Sequence, residues 1–470
     1  MESRLLIRNA RAIVSCDGND SLWRDADIFV EGQSIRAIGP DLASTQPAQV
    51  AGATFIDARG KFVYPGLVNT HHHFFQTFVR NLLAVDYPNL SVLDWIGKIY
   101  EIFKLIDSDS IYYSSLVALA DLAKHGCTTA FDHQYCFPRH AGPGLVDRQM
   151  DAARLLGIRY HAGRGANTLP NSEGSTIPDE MLESTEEFLS DCDRLIGLYG
   201  KNEPFAMTGV VVSPCQPINC RRETFVEALA FARSKKVRLH THLGEGENPG
   251  MVARWGKRTL AWCEEIGFVG PDVWLAHGWE LTPDEYKVMA STGTGLAHCP
   301  APATLGGFPI LDIPAMTLAG MTLGLGCDGS ATNDSSNLLD SLRMAYLMQS
   351  FHSKARGGCP SPYEMLKIAT VGGARLLGRP DIGSLEVGKA ADLFMVDSDK
   401  LELSGATHDP ANLLARTGVT GPVWLTMVGG RVIYADGRLT GVDEERLAAE
   451  ADAACTRAIR SKSPAYARQG

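Results

Sequence analysis

Alternation of short apolar strands with amphipathic helices over residues 66–375 predicts a closed (β/α)₈ barrel, and β-rich stretches at both chain ends predict a small β-sandwich into which that barrel is inserted. A further observation fixes the barrel's working face. Histidines and acids fall at the C-terminal ends of several of the strands, which is where barrel sites collect.

Residues 4–15 and 27–38 read as short strands punctuated by Gly, Asn and Asp turns. The first barrel strand follows Pro65-Gly66 at residues 67–70, and the remaining seven are expected at 128–131, 159–162, 208–212, 238–242, 273–277, 295–298 and 323–326. Between them, apolar residues at three- and four-residue spacing predict helices at 91–104, 108–125, 145–156, 178–198, 222–235, 252–266, 283–291 and 338–351. Strand and turn character returns at 383–397 and 423–436, and 443–461 is a closing Ala/Glu/Arg-rich helix. The expected division is therefore a sandwich of residues 1–65 and 380–440, a catalytic barrel of residues 66–379, and a C-terminal helix and tail of residues 441–470.

Composition sets the class. With 470 residues, 45% hydrophobic and 21% charged, the chain is that of a soluble globular protein large enough for one big domain and a smaller one. A net charge of -10 argues against nucleic acid or an anionic membrane surface as partner. Arg4 and Arg8 interrupt what would be the apolar core of a signal peptide, and no run is long enough to span a bilayer, so a cytoplasmic location is expected. The 11 cysteines are scattered without C-x-x-C pairs, so neither a disulfide framework nor a thiolate zinc site is indicated.

The chemistry is concentrated at strand ends. His71 and His73 stand at alternate positions after the first strand and can share one ion, whereas His72 points elsewhere. The fifth strand ends in His242 with Glu245 three residues on, the sixth in His277, and the eighth in Asp328. Three neutral imidazoles (His71, His73, His242) and the Asp328 carboxylate suit a divalent ion such as zinc, with one place left for a water made acidic enough to act as a nucleophile. Glu245 is expected to move the proton, Asp328 to orient the attacking oxygen, and His277 to hold the oxygen that gains charge. His240 is expected to face away from His242 as a core residue, with His161 and His298 packing near the rim and His125 and His140 at a helix end and a loop. The lone Gly324-x-Gly326-x-x-Gly329 lacks the strand and acid of a dinucleotide unit, so no nicotinamide cofactor is expected.

These residues resemble the amidohydrolase superfamily in its branch of heterocycle deaminases and chlorohydrolases. Pro65 to His73 meets P-G-x-[VI]-[ND]-x-H-x-H, His242 to Glu245 meets H-x-x-E, and Gly388-Lys389-Ala390-Ala391-Asp392-Leu393 matches a common element of the second domain. Within the branch, stretches such as Arg164-Gly165-Ala166, Ala297-His298-Cys299-Pro300 and Gly326–Asp334 resemble 8-oxoguanine and isoxanthopterin deaminases. The resemblance implies hydrolytic deamination of an amino-oxo heterocycle, with Glu245 protonating first a ring nitrogen and then the departing amine. It implies a homo-oligomer as well. Binuclear members carry a modified lysine or a glutamate on the fourth strand; Ala206–Pro214 has neither, so one zinc ion per subunit is expected, with iron as the alternative metal. Gln76, Trp95 and Arg164 are expected to contact the small-molecule substrate, Arg164 by donating to a ring carbonyl. Residues 301–307 read as a loop over the substrate that lacks the polar side chains many members have there, which favours an oxopterin over 8-oxoguanine. The alternative activity is removal of chloride or an alkylamine from an s-triazine. A non-catalytic binding barrel is the third reading, disfavoured because His71, His73, His242, Glu245, His277 and Asp328 are all present.

Overall fold

The computed structural model describes residues 3–82, 90, 92–175, 177–354, 358–419 and 421–463; Ser91, the expected first residue of a helix, and residues 464–470 of the expected tail lie outside these. The N-terminal part forms β1 (Arg4–Val14), β2 (Leu22–Glu31), β3 (Ser34–Gly39), β4 (Thr54–Asp57) and β5 (Lys61–Pro65). The barrel strands follow: β6 (Leu67–Asn69), β7 (Cys127–Gln134), β8 (Arg159–Ala166), β9 (Thr208–Pro214), β10 (Arg238–Leu243), β11 (Val273–His277), β12 (Gly295–His298) and β13 (Leu323–Leu325). The C-terminal part adds β14 (Leu393–Asp397), β15 (Leu425–Val428), β16 (Arg431–Ala435) and β17 (Arg438–Leu439).

β6 to β13 close in sequence order into an all-parallel barrel, β13 pairing with β6 through Leu325 and Asn69. The two chain ends meet in one sheet of nine strands, joined where β5 lies antiparallel to β14 with Val63 opposite Met395. Ile13, Ile28, Val63, Leu393 and Met427 share its buried apolar face. The connection to the barrel is short. Pro65 ends β5 and Leu67 begins β6, and a side chain at Gly66 would collide with Thr128, its Cβ falling 2.0 Å from Oγ1. A buried ion pair ties sheet to barrel: Arg159 Nε of β8 donates to Asp392 Oδ2 at 2.6 Å, and Asp392 Oδ1 accepts from the Gly429 backbone N–H at 2.6 Å. That pairing is what the acid of the Gly388–Leu393 element does.

The barrel is packed, not hollow. Inward-facing Phe131 and Trp274 stack edge to face at 4.9 Å and share a layer with Val68, Val211 and Ala297. Helices over Leu145–Leu156 and Arg222–Lys235 stand where their apolar spacing put them. Three expectations need correction. The helix expected from 178 starts at Thr185, after a 3₁₀ turn at Asp179–Met181, because Ser184 and Glu187 form a capping box there. The one expected over 252–266 is two, Asn248–Trp255 and Thr259–Glu265, separated at Gly256, whose φ of 70° ends a helix. The segment 301–307, read as a loop, contains a short helix, Pro300–Leu305, started by a proline at its first turn. Among the described residues no helix is long and apolar enough to cross a membrane.

Candidate metal centre and pocket

Beyond β6 the chain turns through Thr70 to His73, all buried. His71 and His73 converge near the barrel axis, while His72 leaves them for Ser336, its Nε2 lying 2.9 Å from Oγ. His242 joins from β10 and Asp328 from the turn after β13. His73 Nε2 and His242 Nε2 stand 3.1 Å apart, and Asp328 Oδ1 lies 3.2 Å from His73 Nε2 and 3.4 Å from His71 Nε2.

The other ring nitrogen of each histidine decides what this cluster can do. His73 Nδ1 is 2.9 Å from the His133 carbonyl oxygen and His242 Nδ1 is 2.7 Å from that of Cys215. A carbonyl only accepts, so both rings carry a proton on Nδ1, and in the neutral form of each Nε2 is the lone-pair atom. His71 Nδ1 is 2.9 Å from His240 Nε2, and His240 Nδ1 is 3.0 Å from the Trp274 carbonyl oxygen. His240 therefore spends its proton on Trp274 and accepts from His71. All three rings turn an Nε2 lone pair toward one point, the orientation that hydrogen bonds behind metal-binding histidines produce. His71 Nε2 is buried with no hydrogen-bond partner, and the donor nitrogens of His71, His73 and His242 lie within 4.8 Å of one another. Lone pairs facing each other at such distances repel unless a cation sits between them. Three nitrogens and a carboxylate oxygen fit a divalent ion such as zinc.

The electrostatics agree. Burial holds His71 down to about 4, with the neighbouring His73 adding to the effect. His242 lies well below an ordinary imidazole, through burial and then His133, His71 and His73, so it is a neutral ligand. Burial alone would raise Asp328, but the His71, His73 and His277 rings beside its carboxylate bring it well below the usual carboxylate range. Glu245 goes the other way: burial, then the charges of Asp328 and Glu247, push its carboxyl well above that range. Its Oε1 is 3.7 Å from His277 Nε2.

Two residues reach the site by left-handed backbone. Trp274 and Ala276 of β11 face inward in register with His240 and His242, so His277 is out of step with them. Its φ of 75° brings the ring round to stack on His242 at 5.3 Å and 12°. Asp328, with φ of 64°, is the second such case. Strain of this kind in residues other than glycine clusters at functional sites.

The pocket over this centre is lined by Gln76, Trp95, Tyr100, Phe103, Tyr135 and Asn219 together with His73, His242, Glu245 and Asp328. Gln76 Nε2 donates to the Tyr135 hydroxyl at 3.2 Å, and its Oε1 accepts from the Ala331 backbone N–H at 3.2 Å. Arg164 is not there, which corrects the role expected for it. On β8 the inward positions are His161, Gly163 and Gly165; a Cβ at Gly165 would fall 2.8 Å from His133 Nε2. Arg164 faces the helices instead, donating to Asp191 at 2.7 Å and Glu183 at 2.6 Å beneath the Phe137 ring. His240 also needs correction: two positions from His242 on a strand, it shares that residue's face and supports His71. His161 opens at the opposite end of the barrel, and His298 is buried with neither ring nitrogen hydrogen-bonded. Tyr135, unremarked in the sequence, continues the inward alternation of Phe131 and His133, a signal hidden by ending that strand at 131.

The amidohydrolase family matches residues 62–433. The chain is 53% identical to hydroxydechloroatrazine ethylaminohydrolase of Pseudomonas sp. (strain ADP), covering 95% of this chain and 94% of that protein. It is 35% identical to 8-oxoguanine deaminase of Pseudomonas aeruginosa, covering 97% and 99%. Among solved structures, atrazine chlorohydrolase from Arthrobacter aurescens TC1 complexed with zinc superposes with a TM-score of 0.88 at 32% identity, over 96% of this chain and 100% of that one.

Proposed function

This chain belongs to the amidohydrolase family, and from that premise we propose that it is a mononuclear zinc aminohydrolase that replaces an exocyclic amino or alkylamino group on a hydroxylated, electron-poor nitrogen heterocycle by oxygen. The observation that carries this is the set of three Nδ1-tethered imidazoles whose free Nε2 atoms converge with Asp328 beside a protonatable glutamate. When bound, the ion supplies a coordinated water whose pKa falls from 15.7 toward about 7.

The protein's own groups do the rest. Asp328, ionised and 3.2 Å from His73 Nε2, orients the water and accepts its hydrogen bond. Glu245 takes a proton as the oxygen adds to the ring carbon and returns it to the exocyclic nitrogen as the C–N bond breaks, so water is consumed and one amine leaves. Its raised pKa suits it to holding that proton between the two steps. His277 is kept neutral by burial and by its histidine neighbours, and neither of its nitrogens has a hydrogen-bond partner, so it can donate to a ring nitrogen or oxygen that gains charge. Among the described lining residues there is no Arg or Lys, which favours a neutral ring read by the amides of Gln76, Gln216 and Asn219.

The hydroxylated alkylamino-s-triazine reading comes first, supported by the 53% identical ethylaminohydrolase. Deamination of an oxopurine or oxopterin is the second, supported by the 35% identical 8-oxoguanine deaminase. Assaying purified enzyme with 2-hydroxy-4-ethylamino-s-triazines, 8-oxoguanine and isoxanthopterin decides between them: ethylamine release supports the first, ammonia release from a fused ring the second. Chloride release from a chlorotriazine with no amine released from any of the panel overturns both.

A further inference from the structure

The opposite end of the barrel holds a second cavity, of about 350 Å³. It is closed off from the metal centre by the apolar layer that contains Phe131, Val211 and Trp274. Its wall carries Lys201, Lys236, Arg238 and Arg379 against only Glu203 and Asp381, an excess of cations in a chain whose net charge is -10. Asp381 does not neutralise them freely, because its carboxylate is occupied by Arg379 at 2.7 and 2.9 Å and by the Phe205 backbone N–H at 2.8 Å. Arg238 is the telling residue. Among the described residues its Nη2 donates to the carbonyls of Pro271 (2.7 Å) and Arg375 (3.3 Å), no carboxylate stands within ion-pair distance of it, and its buried Nε has no acceptor. An unpaired guanidinium and an orphaned buried donor each cost free energy, and an anion in the cavity would relieve both. Lys201 and Lys236 stand at the same mouth without an ion-pair partner among the described residues, and His161, which lines the same cavity, is held down to about 3 by burial and then by Arg379, Arg159 and Arg238.

We propose that this cavity is a binding site for an oxyanion, a phosphate group either free or carried on a small metabolite, gripped by Arg238 with Lys201 and Lys236. The volume admits a nucleotide-sized ligand, and charge-assisted hydrogen bonds from a planar guanidinium suit phosphate geometry. The proposal is independent of which heterocycle the enzyme hydrolyses. Isothermal titration of the holoenzyme at constant ionic strength tests it, with inorganic phosphate and adenosine monophosphate as probes. One saturable site per chain is expected for at least one of them. Binding of phosphate alone marks a free-ion site, and binding of the monophosphate alone marks a carried phosphate. Arg238→Gln should weaken that binding at least about tenfold; should this variant not fold, the surface double substitution Lys201→Ala/Lys236→Ala should weaken it by a similar factor. Absence of binding for both probes, or equal binding in wild type and the double variant, overturns the proposal.

Discussion

The two mouths of one barrel are built from the same strands and carry opposite chemistry. β10 alone places Arg238 at one end and His242 at the other, with His240 between them on the same face. At the C-terminal mouth the charged groups are carboxylates, and neutral imidazoles turn lone pairs inward; at the N-terminal mouth the charged groups are mostly cations with donors turned inward. The apolar layer around Phe131 and Trp274 keeps the two fields apart. Barrel topology therefore assigns no chemistry by itself; which donor or acceptor each inward position carries decides what each end can hold.

The sharpest way to break this contrast is at Glu245. Glu245→Gln keeps the shape but removes the proton carrier, and should lower kcat by about 10²–10⁴-fold while metal content stays at the wild-type level. Full turnover in that variant would remove the proton-transfer role.

Arg164 tests the boundary between pocket and scaffold. Arg164→Met strands Glu183 and Asp191 and should destabilise the protein by about 3–5 kcal/mol in urea unfolding, with KM unchanged in the folded enzyme. A raised KM at unchanged stability would return Arg164 to the substrate.

The eight barrel strands and the convergence of His71, His73, His242 and Asp328 are legible in sequence because both rest on strand periodicity and on short motifs. Pro65 to His73 announces a strand and its ligands in nine residues. What escaped were contacts that depend on the partner across the barrel. Arg164 sits one residue off the inward face, and nothing local says that β8 runs on to Ala166. His240 was misassigned although residues two apart on a strand share a face, and its bond to His71 joins positions far apart in the chain. Left-handed backbone at His277 likewise follows from the turn after β11, not from any glycine in the motif.

His240 therefore offers a finer test of the catalytic mouth. His240→Ala removes the acceptor that fixes the His71 tautomer and should weaken metal affinity by about 10–100-fold, measured by competition with a chromogenic chelator. Unchanged affinity would make His240 a packing residue.

The smallest effect is expected at the other mouth. Burial would raise Asp381, but Arg379 overrides it and lowers its pKa from 3.8 to about 2. A folded-state pKa below the unfolded one gives stability that is present above pH 3.8 and lost as pH falls toward 2. The advantage of wild type over Asp381→Asn in urea should be about 2 kcal/mol at pH 6 and roughly half that at pH 3. A gap independent of pH would mean that the ion pair contributes nothing.

The central claim is that the C-terminal mouth uses one ion to break a C–N bond. Metal-stripped enzyme titrated with zinc while amine release is followed tests it most directly: activity should rise linearly to one equivalent per chain and then stay flat. Activity that survives complete metal removal, or that needs two equivalents, would contradict it.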